Sequence, residues 1–374
     1  MPLFRNIPRH ILAIFTVGWA IMLLASALTA YVSPKYLHAL AFAGFVFPVL
    51  WLLNWVLAVV NLLLRKWRHF AVALGVTLLT WSQWNNVYQT NLSAGQIQDK
   101  KPKGAITVMS FNTRMFDYYS WTGRPNVIDE VLDFVRKENP DIVCFQEFFS
   151  YDNRMAYADH RIVSRLNGYK YRHIEYNVIG KNGKKFGQAT FSKFPIVGQR
   201  QITFNNTSNF SIQTDVAVEG KTIRVFNNHL ESVRLKAKHY NFIDSINLKS
   251  DEERKAGLQE IVFKLNHALA QRAEQAETIA RHIANSPYPV IVCGDFNDTP
   301  VSYVYHTMRG DLKDAFKEAG RGIGGTYNGK LPSFRIDFIF HDPSFSTTRF
   351  QTFKKNFSDH YPILAEIVLD PASE

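Results

Sequence analysis

The sequence predicts an α+β domain preceded by helices embedded in a membrane, and three observations support this fold class. The first acidic residue of the 374-residue chain is Asp99, and most residues before it are apolar. From Ala105 onward, short apolar segments of strand length alternate with polar loops and a few amphipathic helices. Regular strand–helix–strand repeats are few, so we expect a layered α+β domain.

Three apolar runs predict that residues 1–90 form a membrane region with two or three transmembrane helices, at about 11–30, 36–64 and 70–84. The first run has the length that a bilayer requires, and the second is longer, which implies that it tilts. The third is short and ends in Trp81, Ser82, Gln83 and Trp84. It is either a spanning helix with an aromatic belt or a helix lying in the interface, and we favour the spanning helix.

The distribution of lysine and arginine predicts the orientation of this membrane region. The loop between the first two runs contains only Lys35, whereas the other flanks carry Arg5, Arg9, Arg65, Lys66 and Arg68. We therefore expect the amino terminus on the cytoplasmic side of a bacterial inner membrane. Three spans would place the rest of the chain outside the cytoplasm. Two spans and an interfacial third helix would leave it in the cytoplasm.

The net charge of +11 is concentrated in the membrane region. Residues 1–104 contain nine Lys/Arg and one acid, a net charge of +8, which leaves 34 bases and 31 acids, or +3, for the other 270 residues. That part of the chain lacks the strong positive charge that is typical of proteins binding nucleic acid. The charge distribution weakens a nuclease interpretation, although that interpretation stays open.

The remainder of the chain divides into a polar linker, residues 91–104, and an α+β domain, residues 105–374. Helical periodicity predicts a helix over 127–137 and a largely helical segment over 231–286, of which 231–257 resembles an insertion. Apolar segments bounded by polar or turn-forming residues predict strands at about 106–111, 141–145, 189–191, 212–218, 223–228, 290–293, 336–340 and 363–368.

The stretch from Val290 to Pro300 carries the most informative pattern in this domain. Three apolar residues predict a buried strand, Gly294 ends it, and Asp295 and Asn297 follow at alternate positions. A carboxylate and an amide so placed can face one point at the edge of a sheet. Their oxygens suit a hard cation or a water molecule attacking phosphorus. Taken alone, the stretch is equally consistent with an ordinary turn.

Polar side chains at other strand ends strengthen the functional interpretation. Neighbouring strand ends converge on one surface, and four carboxylates there would repel one another unless a cation were bound. Mg²⁺, held by one or two carboxylates and water, fits better than Ca²⁺, which takes more protein oxygens. Two histidines add proton transfer and charge stabilisation. The eight residues are Asn112, Glu147, His229, Asp295, Asn297, Asp337, Asp359 and His360.

Six motifs follow one another between residues 105 and 370: Ser-Phe-Asn112, Phe-Gln-Glu147, Asn-His229-Leu, Gly-Asp295-Phe-Asn297, Arg-Ile-Asp337 and Ser-Asp359-His360-Tyr-Pro. Their kind and order resemble the motif series of the endonuclease/exonuclease/phosphatase superfamily, including its deoxyribonuclease and sphingomyelinase branches. The resemblance implies a four-layer α/β sandwich of two packed mixed sheets flanked by helices. It also implies Mg²⁺-dependent hydrolysis of a phosphoester, with Mn²⁺ as an alternative ion.

The resemblance implies that four of these residues surround the metal and the phosphate. Glu147 is then the principal metal ligand, helped by Asn112. Asp359 completes the metal environment directly or through water. His229 is catalytic and meets the phosphate from the opposite side.

The other four residues are implied to carry out the chemical step. Asp295 positions or deprotonates the attacking water, and Asn297 holds a phosphate oxygen. His360 contacts the phosphate or acts as the base, and Asp337 orients it.

The predicted membrane anchor favours a phospholipid or sphingomyelin-like phosphodiester as substrate. A membrane-tethered endonuclease or exonuclease acting on DNA or RNA would use the same residues and is the alternative. An inactive binding or scaffold module is a third hypothesis, against which the complete residue set argues. The predicted partners are the lipid bilayer and a phosphodiester substrate, and we predict no protein partner.

Overall fold

A computed structural model describes residues 9–91, 101–235, 237–245, 249–329 and 332–369. Arg5 and residues 92–100, which are most of the predicted linker, lie outside the described residues. Four helices open the described chain. They are α1 (Arg9–Ala27), α2 (His38–Leu63), α3 (Trp67–Leu79) and α4 (Trp81–Val87).

Two helical segments, His10–Ala30 and His38–Leu63, are long and apolar enough to cross a membrane, by length and composition. The third predicted run is divided between α3, with 13 residues, and α4. The Thr80 amide donates to Val76 and the Trp84 amide donates to Thr80, so helical hydrogen bonds continue across the junction between α3 and α4.

These helices expose many apolar side chains, and between them they bury several polar side chains beside an apolar cluster that includes Leu23, Phe47 and Trp51. The Asn54 amide donates at 2.8 Å to both the Ala73 carbonyl and the Thr77 hydroxyl, and Asn61 donates to Thr16 at 3.0 Å. Only 33% of the most apolar stretch of each long helix is buried, whereas the core helix of a soluble protein would be mostly buried. The exposed residues include Ile14, Phe15, Ile21, Val49, Leu52, Val56 and Leu63.

The rest of the chain is built on two six-stranded mixed sheets. The first has the strand order β13–β14–β2–β3–β5–β4, in which only β2 and β3 are parallel. Its strands are β2 (Ala105–Asn112), β3 (Ile142–Tyr151), β4 (Tyr171–Ile179), β5 (Lys184–Ser192), β13 (Ser346–Thr352) and β14 (Ile363–Val368).

The second sheet has the order β10–β12–β9–β8–β7–β6, in which only β8 and β9 are parallel. A separate two-residue ribbon joins β1 (Gln89–Thr90) to β11 (Arg321–Gly322). The strands of the second sheet are β6 (Ile196–Thr203), β7 (Phe210–Val218), β8 (Lys221–His229), β9 (Val290–Asp295), β10 (Lys313–Asp314) and β12 (Asp337–His341).

Three apolar clusters show that sheets and helices form four layers. One cluster lies between the two sheets and includes both free cysteines, Cys144 and Cys293. Another lies between the first sheet and α5 and α6, and a third between the second sheet and α8 and α9. The predicted four-layer α/β sandwich is confirmed. Its helices are α5 (Val127–Glu138), α6 (Asp159–Arg165), α7 (Ala237–Asp244), α8 (Asp251–Ala284), α9 (Tyr303–Arg309) and α10 (Ala315–Ala319).

The helical region is attached to the sandwich by specific polar contacts. Arg335 and Asp314 form a buried ion pair at 2.9 Å, and the same guanidinium donates to the Asn86 carbonyl of α4 at 2.7 Å. At the end of α1, the Thr29 hydroxyl lies 3.0 Å from the Val301 carbonyl. These contacts fix the position of α1, α2 and α4 relative to the sheets.

Candidate active site

Strand register brings the predicted site residues to one edge of the two sheets. His229 and Asp295 are paired across β8 and β9, and Asp337 is paired with Asp295 across β12 and β9. In the first sheet, Asn112 is paired with Gln146, the residue before Glu147. Parallel strands end at the same edge of a sheet, so the residues at these strand ends lie next to one another.

Unusual backbone conformations aim several of these side chains. Glu147 lies at an irregularity of the β3–β5 pairing and has φ 48°, and Asn297 has φ 54°. Gly294 has φ 135°, and a β-carbon there would lie 2.0 Å from the Asn228 carbonyl oxygen. Glycine therefore permits the close approach of β8 and β9 beside Asp295. Left-handed non-glycine residues are costly and are concentrated at functional sites.

Asp295 is the best-held carboxylate of the site. Its Oδ1 accepts the Asn297 backbone N–H at 2.8 Å, and its Oδ2 accepts the side-chain amides of Asn112 at 3.0 Å and Asn297 at 3.2 Å. The Asn112 contact joins the two sheets. Burial raises the pKa of Asp295, and the nearby Asp337 charge adds to this effect. A fixed carboxylate of raised pKa is suited to accept a proton.

His360 is held between two carboxylates. Its Nδ1 lies 3.0 Å from Asp337, and its Nε2 lies 3.6 Å from Asp295. Burial opposes charge on this ring, but the Asp337 and Asp295 charges outweigh burial and raise the pKa of His360 well above its ordinary value. The imidazole is therefore expected to be protonated at neutral pH and able to donate to a phosphate oxygen.

Glu147 and His229 form the opposite side of the site. His229 Nε2 lies 3.7 Å from Glu147 Oε1 and 3.8 Å from Asp295 Oδ2, and burial lowers the pKa of this histidine. The same nitrogen is buried and forms no hydrogen bond with any described residue. Burial and the Asp359 charge raise the pKa of Glu147 to about 7. Both groups therefore face a space in which a polar ligand would satisfy them.

The donor set around Glu147 fits a divalent cation. The raised pKa values of Glu147 and Asp295 reflect mutual repulsion and burial, which a cation would relieve. Asp295, Asp337 and His360 also offer atoms within 4.8 Å of one another. Because His360 Nδ1 is bonded to Asp337 and its ring is protonated, that trio is a poorer metal site than the Glu147 side.

The structure modifies what two amides can do. Asn112 directs its N–H group at Asp295 and, at 3.4 Å, at Glu147, while its oxygen accepts the Arg114 amide. As a metal ligand it would have to turn its amide over. Asn297 donates to Asp295 and to the Leu230 carbonyl, so both of its side-chain N–H groups already serve the protein. Metal binding by Asn112 and phosphate binding by Asn297 stay predictions.

Arg114 is a site residue that the sequence analysis missed. Its guanidinium lies 3.3 Å from Asp359 and stacks over Trp121 at 4.4 Å. It begins a left-handed turn in which residues 114–117 all have φ between 45° and 57°. The only signal in the sequence is a basic residue two positions after Asn112. Tyr327, which forms an isolated β-bridge with His360, was also missed.

The pKa of Glu147 leads to a prediction about stability in the absence of metal. The folded protein holds the Glu147 proton more tightly than the unfolded chain, because the pKa rises from 4.5 to about 7 on folding. The stability that this proton contributes is complete below pH 4.5 and is lost as the pH rises through about 7. In EDTA, we expect the thermal midpoint of the full-length protein in detergent, followed by circular dichroism, to fall across this interval.

The Glu147→Gln variant, which is neutral throughout, provides the comparison. We expect its thermal midpoint to fall less over the same interval, because the difference between the two proteins isolates Glu147 from the other titrating groups. Parallel curves for the two proteins would contradict the assignment of the raised pKa to Glu147.

The comparisons with known proteins agree with this architecture. The model of the Endonuclease/Exonuclease/phosphatase family matches residues 109–360, and a domain of unknown function, DUF8431, matches residues 9–87. No curated protein matches the chain. The sandwich and the helical region are therefore matched by two different family models.

Solved structures share the fold at low identity. An endonuclease/exonuclease/phosphatase from Beutenbergia cavernae DSM 12333 has 18% identity and a TM-score of 0.53, and the match covers 72% of this chain and 73% of that one. A Bacteroides thetaiotaomicron family protein has 18% identity and a TM-score of 0.51, with 71% and 98% covered. D. rerio TDP2 complexed with single strand DNA product has 18% identity and a TM-score of 0.50, with 71% and 99% covered.

The family model spans more than half of the chain and begins and ends within the two-sheet sandwich. The matched residues include all eight predicted site residues, from β2 to the loop before β14. The chain belongs to the endonuclease/exonuclease/phosphatase family.

Proposed function

We propose that this protein is a membrane-anchored, metal-dependent phosphodiesterase that hydrolyses a phospholipid or sphingomyelin-like phosphodiester. The arrangement that carries the proposal is Asp295, fixed by three N–H donors, beside the His360–Asp337 pair and opposite Glu147. Groups that accept a proton, donate to an oxyanion and bind a cation are thereby directed at one point. This combination is what attack of water on phosphorus requires.

The residues divide the chemical step between them. Asp295 accepts a proton from the attacking water, whose oxygen bonds to phosphorus as the ester P–O bond breaks and the leaving oxygen takes up a proton from solvent. His360, kept charged by Asp337, donates from Nε2 to a phosphate oxygen. His229, whose pKa is lowered by burial, donates to or accepts from the substrate on the opposite side. Its unpaired Nε2 supports this role.

Glu147, with Asp359 and Asn112 nearby, would hold the cation. A bound Mg²⁺, or Mn²⁺ in its place, would supply positive charge to the phosphate oxygens. Arg114 offsets the Asp359 charge at 3.3 Å, which limits repulsion within the acidic cluster.

The helices support membrane anchoring through their outward apolar faces and inward polar side chains. Exposed apolar faces suit lipid surroundings, in which buried amides and hydroxyls join helices. Arg65 and Lys66 lie in the turn after α2, and Arg68 lies in the first turn of α3. They are at the opposite end of α2 from Phe45, which contacts Phe334 of the sandwich. With the positive end in the cytoplasm, the catalytic domain would be extracytoplasmic.

Nucleic acid is the second candidate substrate, because the D. rerio TDP2 structure contains a single-strand DNA product and shares the fold. The charge of +3 on residues 105–374 favours the lipid candidate. An inactive scaffold is disfavoured by the presence of all eight predicted residues at the same edge of the sheets.

The test uses the full-length protein in detergent and its Glu147→Ala variant. Both would be assayed with Mg²⁺ and with EDTA on bis(p-nitrophenyl) phosphate, sphingomyelin vesicles and supercoiled DNA. We expect Mg²⁺-dependent hydrolysis of the soluble diester and the lipid, lost in the variant. Mg²⁺-dependent nicking of DNA with intact lipid would establish the nuclease instead. Inactivity on every substrate despite measured metal binding would reject the phosphodiesterase.

A further inference from the structure

The cleft that contains the catalytic residues continues onto an apolar wall. Its volume is about 400 Å³, within the range of about 300–1,000 Å³ that is typical of sites for small ligands. One end is formed by Glu147, Asp295 and His360. The other is lined by Phe42, Phe45, Leu235, Leu265, Pro332 and Phe334. The cleft is therefore polar at one end and apolar at the other.

Part of the apolar wall belongs to the helix α2. Phe42 and Phe45 lie in its second and third turns, and the Phe45 ring centre is 5.9 Å from that of Phe334 in the sandwich. With 26 residues, α2 is about 39 Å long at about 1.5 Å per residue. A hydrocarbon core of about 30 Å leaves roughly 9 Å of α2 at headgroup level. Phe42 and Phe45 would lie where the cleft meets the bilayer.

Cationic groups surround the polar end. Arg114 and Arg234 line the cleft, as does Arg272, which is buried and whose Nη2 has no hydrogen-bond partner among the described residues. This Nη2 would donate to an anionic phosphate oxygen.

We propose that the apolar wall is the binding site for the hydrocarbon part of a membrane-lipid substrate, so that α2 is a substrate-binding element and more than an anchor. The phosphodiester then lies at the catalytic end while an acyl chain lies against Phe42, Phe45 and Phe334. This inference rests on the proposed function and adds the residues that select a lipid. A substrate entering from the bilayer needs no desolvation of its chain.

A nucleic-acid strand fits the cleft less well. Single strands bind along open grooves in which cations follow the backbone. At Phe45 the cleft reaches the helix α2, which would enter the bilayer. A polymer strand therefore could not continue past this end. The Phe45 and Phe334 rings pack against each other with centres 5.9 Å apart, rather than standing as separate stacking platforms.

The test measures kcat/KM of the full-length protein on dipalmitoyl and dihexanoyl phosphatidylcholine in mixed micelles and on bis(p-nitrophenyl) phosphate. Phosphatidylcholine would be replaced by sphingomyelin of two chain lengths if only that lipid is hydrolysed. We expect the long-chain lipid to be preferred. Phe45→Ala should lower the ratio of long-chain lipid to soluble-diester activity by about 10-fold, as expected for the loss of the apolar area that a ring would bury against an acyl chain. Phe45→Leu should restore most of it.

Val46→Ala is the matched control, because Val46 is 49% exposed on the same turn of α2 and does not line the cleft. We expect its activity ratio to equal that of the unaltered protein. Phe42→Ala tests the same wall independently of Phe45. The inference is overturned if both phenylalanine variants keep the original chain-length preference, or lose the two activities equally. Hydrolysis of the soluble diester with no lipid hydrolysis would also overturn it, while leaving the phosphodiesterase chemistry intact.

Discussion

Replacing Asp295 with asparagine in the full-length protein is expected to reduce kcat by about 10²–10⁴-fold, the range typical of losing a positioned general base. An amide is a far weaker base than a carboxylate. It would also place an NH₂ group against N–H donors, because both Asp295 oxygens accept hydrogen bonds from Asn112 or Asn297. The variant therefore loses the proton acceptor and disturbs the contact between the two sheets.

The measurement is Mg²⁺-dependent hydrolysis of bis(p-nitrophenyl) phosphate, with kcat and KM determined separately. We expect the loss mainly in kcat, since Asp295 is proposed to act on water rather than on the substrate. Asp342→Asn is the control for charge, because Asp342 follows the other end of β12 and, among the described residues, its side chain binds only Ser344. A kcat of Asp295→Asn within threefold of the original would reject Asp295 as the base.

Replacing Asp314 with asparagine is expected to destabilise the catalytic domain by about 3–5 kcal/mol, because it leaves the buried Arg335 charge without its partner. Arg335 is 1% exposed and Asp314 is 0% exposed, and their atoms are 2.9 Å apart. Asp314 also accepts the Tyr305 hydroxyl at 2.9 Å and caps α10 through the Phe316 amide. Asparagine can keep the cap but cannot neutralise the guanidinium.

The two cysteines provide a domain-specific measurement of this stability. The chain contains only Cys144 and Cys293, both fully buried between the sheets, and the neighbouring Cys144 thiol and burial raise the pKa of Cys293. Native-state labelling by a thiol reagent therefore requires opening of the sandwich. We expect labelling to accelerate by about 10²–10⁴-fold in Asp314→Asn, since each 1.4 kcal/mol is a factor of ten.

A double variant separates the charge from the packing. Combining Asp314→Asn with Arg335→Met removes the unpaired charge, so we expect slower labelling than in Asp314→Asn alone. Labelling of the single variant at the original rate would show that the pair contributes little. In that case the ion pair would not be what positions Arg335 to donate to the Asn86 carbonyl of α4.

The positions of the candidate site residues could be predicted because each one follows a local pattern, and their roles stay predictions. An apolar run sets a central strand, and the polar residue at its end must lie at the sheet edge, as Asn112, His229 and Asp295 do. The role of Arg114 could not be predicted. Its pairing with Asp359 depends on a left-handed turn of non-glycine residues, which no local propensity favours.

The predicted strands and the missed strands differ in their position in the sheets. The eight predicted strands correspond to β2, β3, β5, β7, β8, β9, β12 and β14, which occupy inner positions in the two sheets. The missed strands β4, β6 and β13 lie at sheet edges and have sequences such as Ser346-Thr-Thr-Arg-Phe-Gln-Thr352. An edge strand faces the core on fewer sides, so its sequence carries no continuous apolar run.

The sequence by itself determined the central strands, the amphipathic helix α5, the apolar helices and the polar residues at the shared edge of the sheets, because all of these follow from patterns over a few residues. Only the tertiary structure decided that Phe45 lies beside Phe334 and that Arg335 pairs with Asp314 while reaching Asn86. These contacts join residues that are distant in the chain. They arise from the packing of helices against sheets, which no local pattern contains.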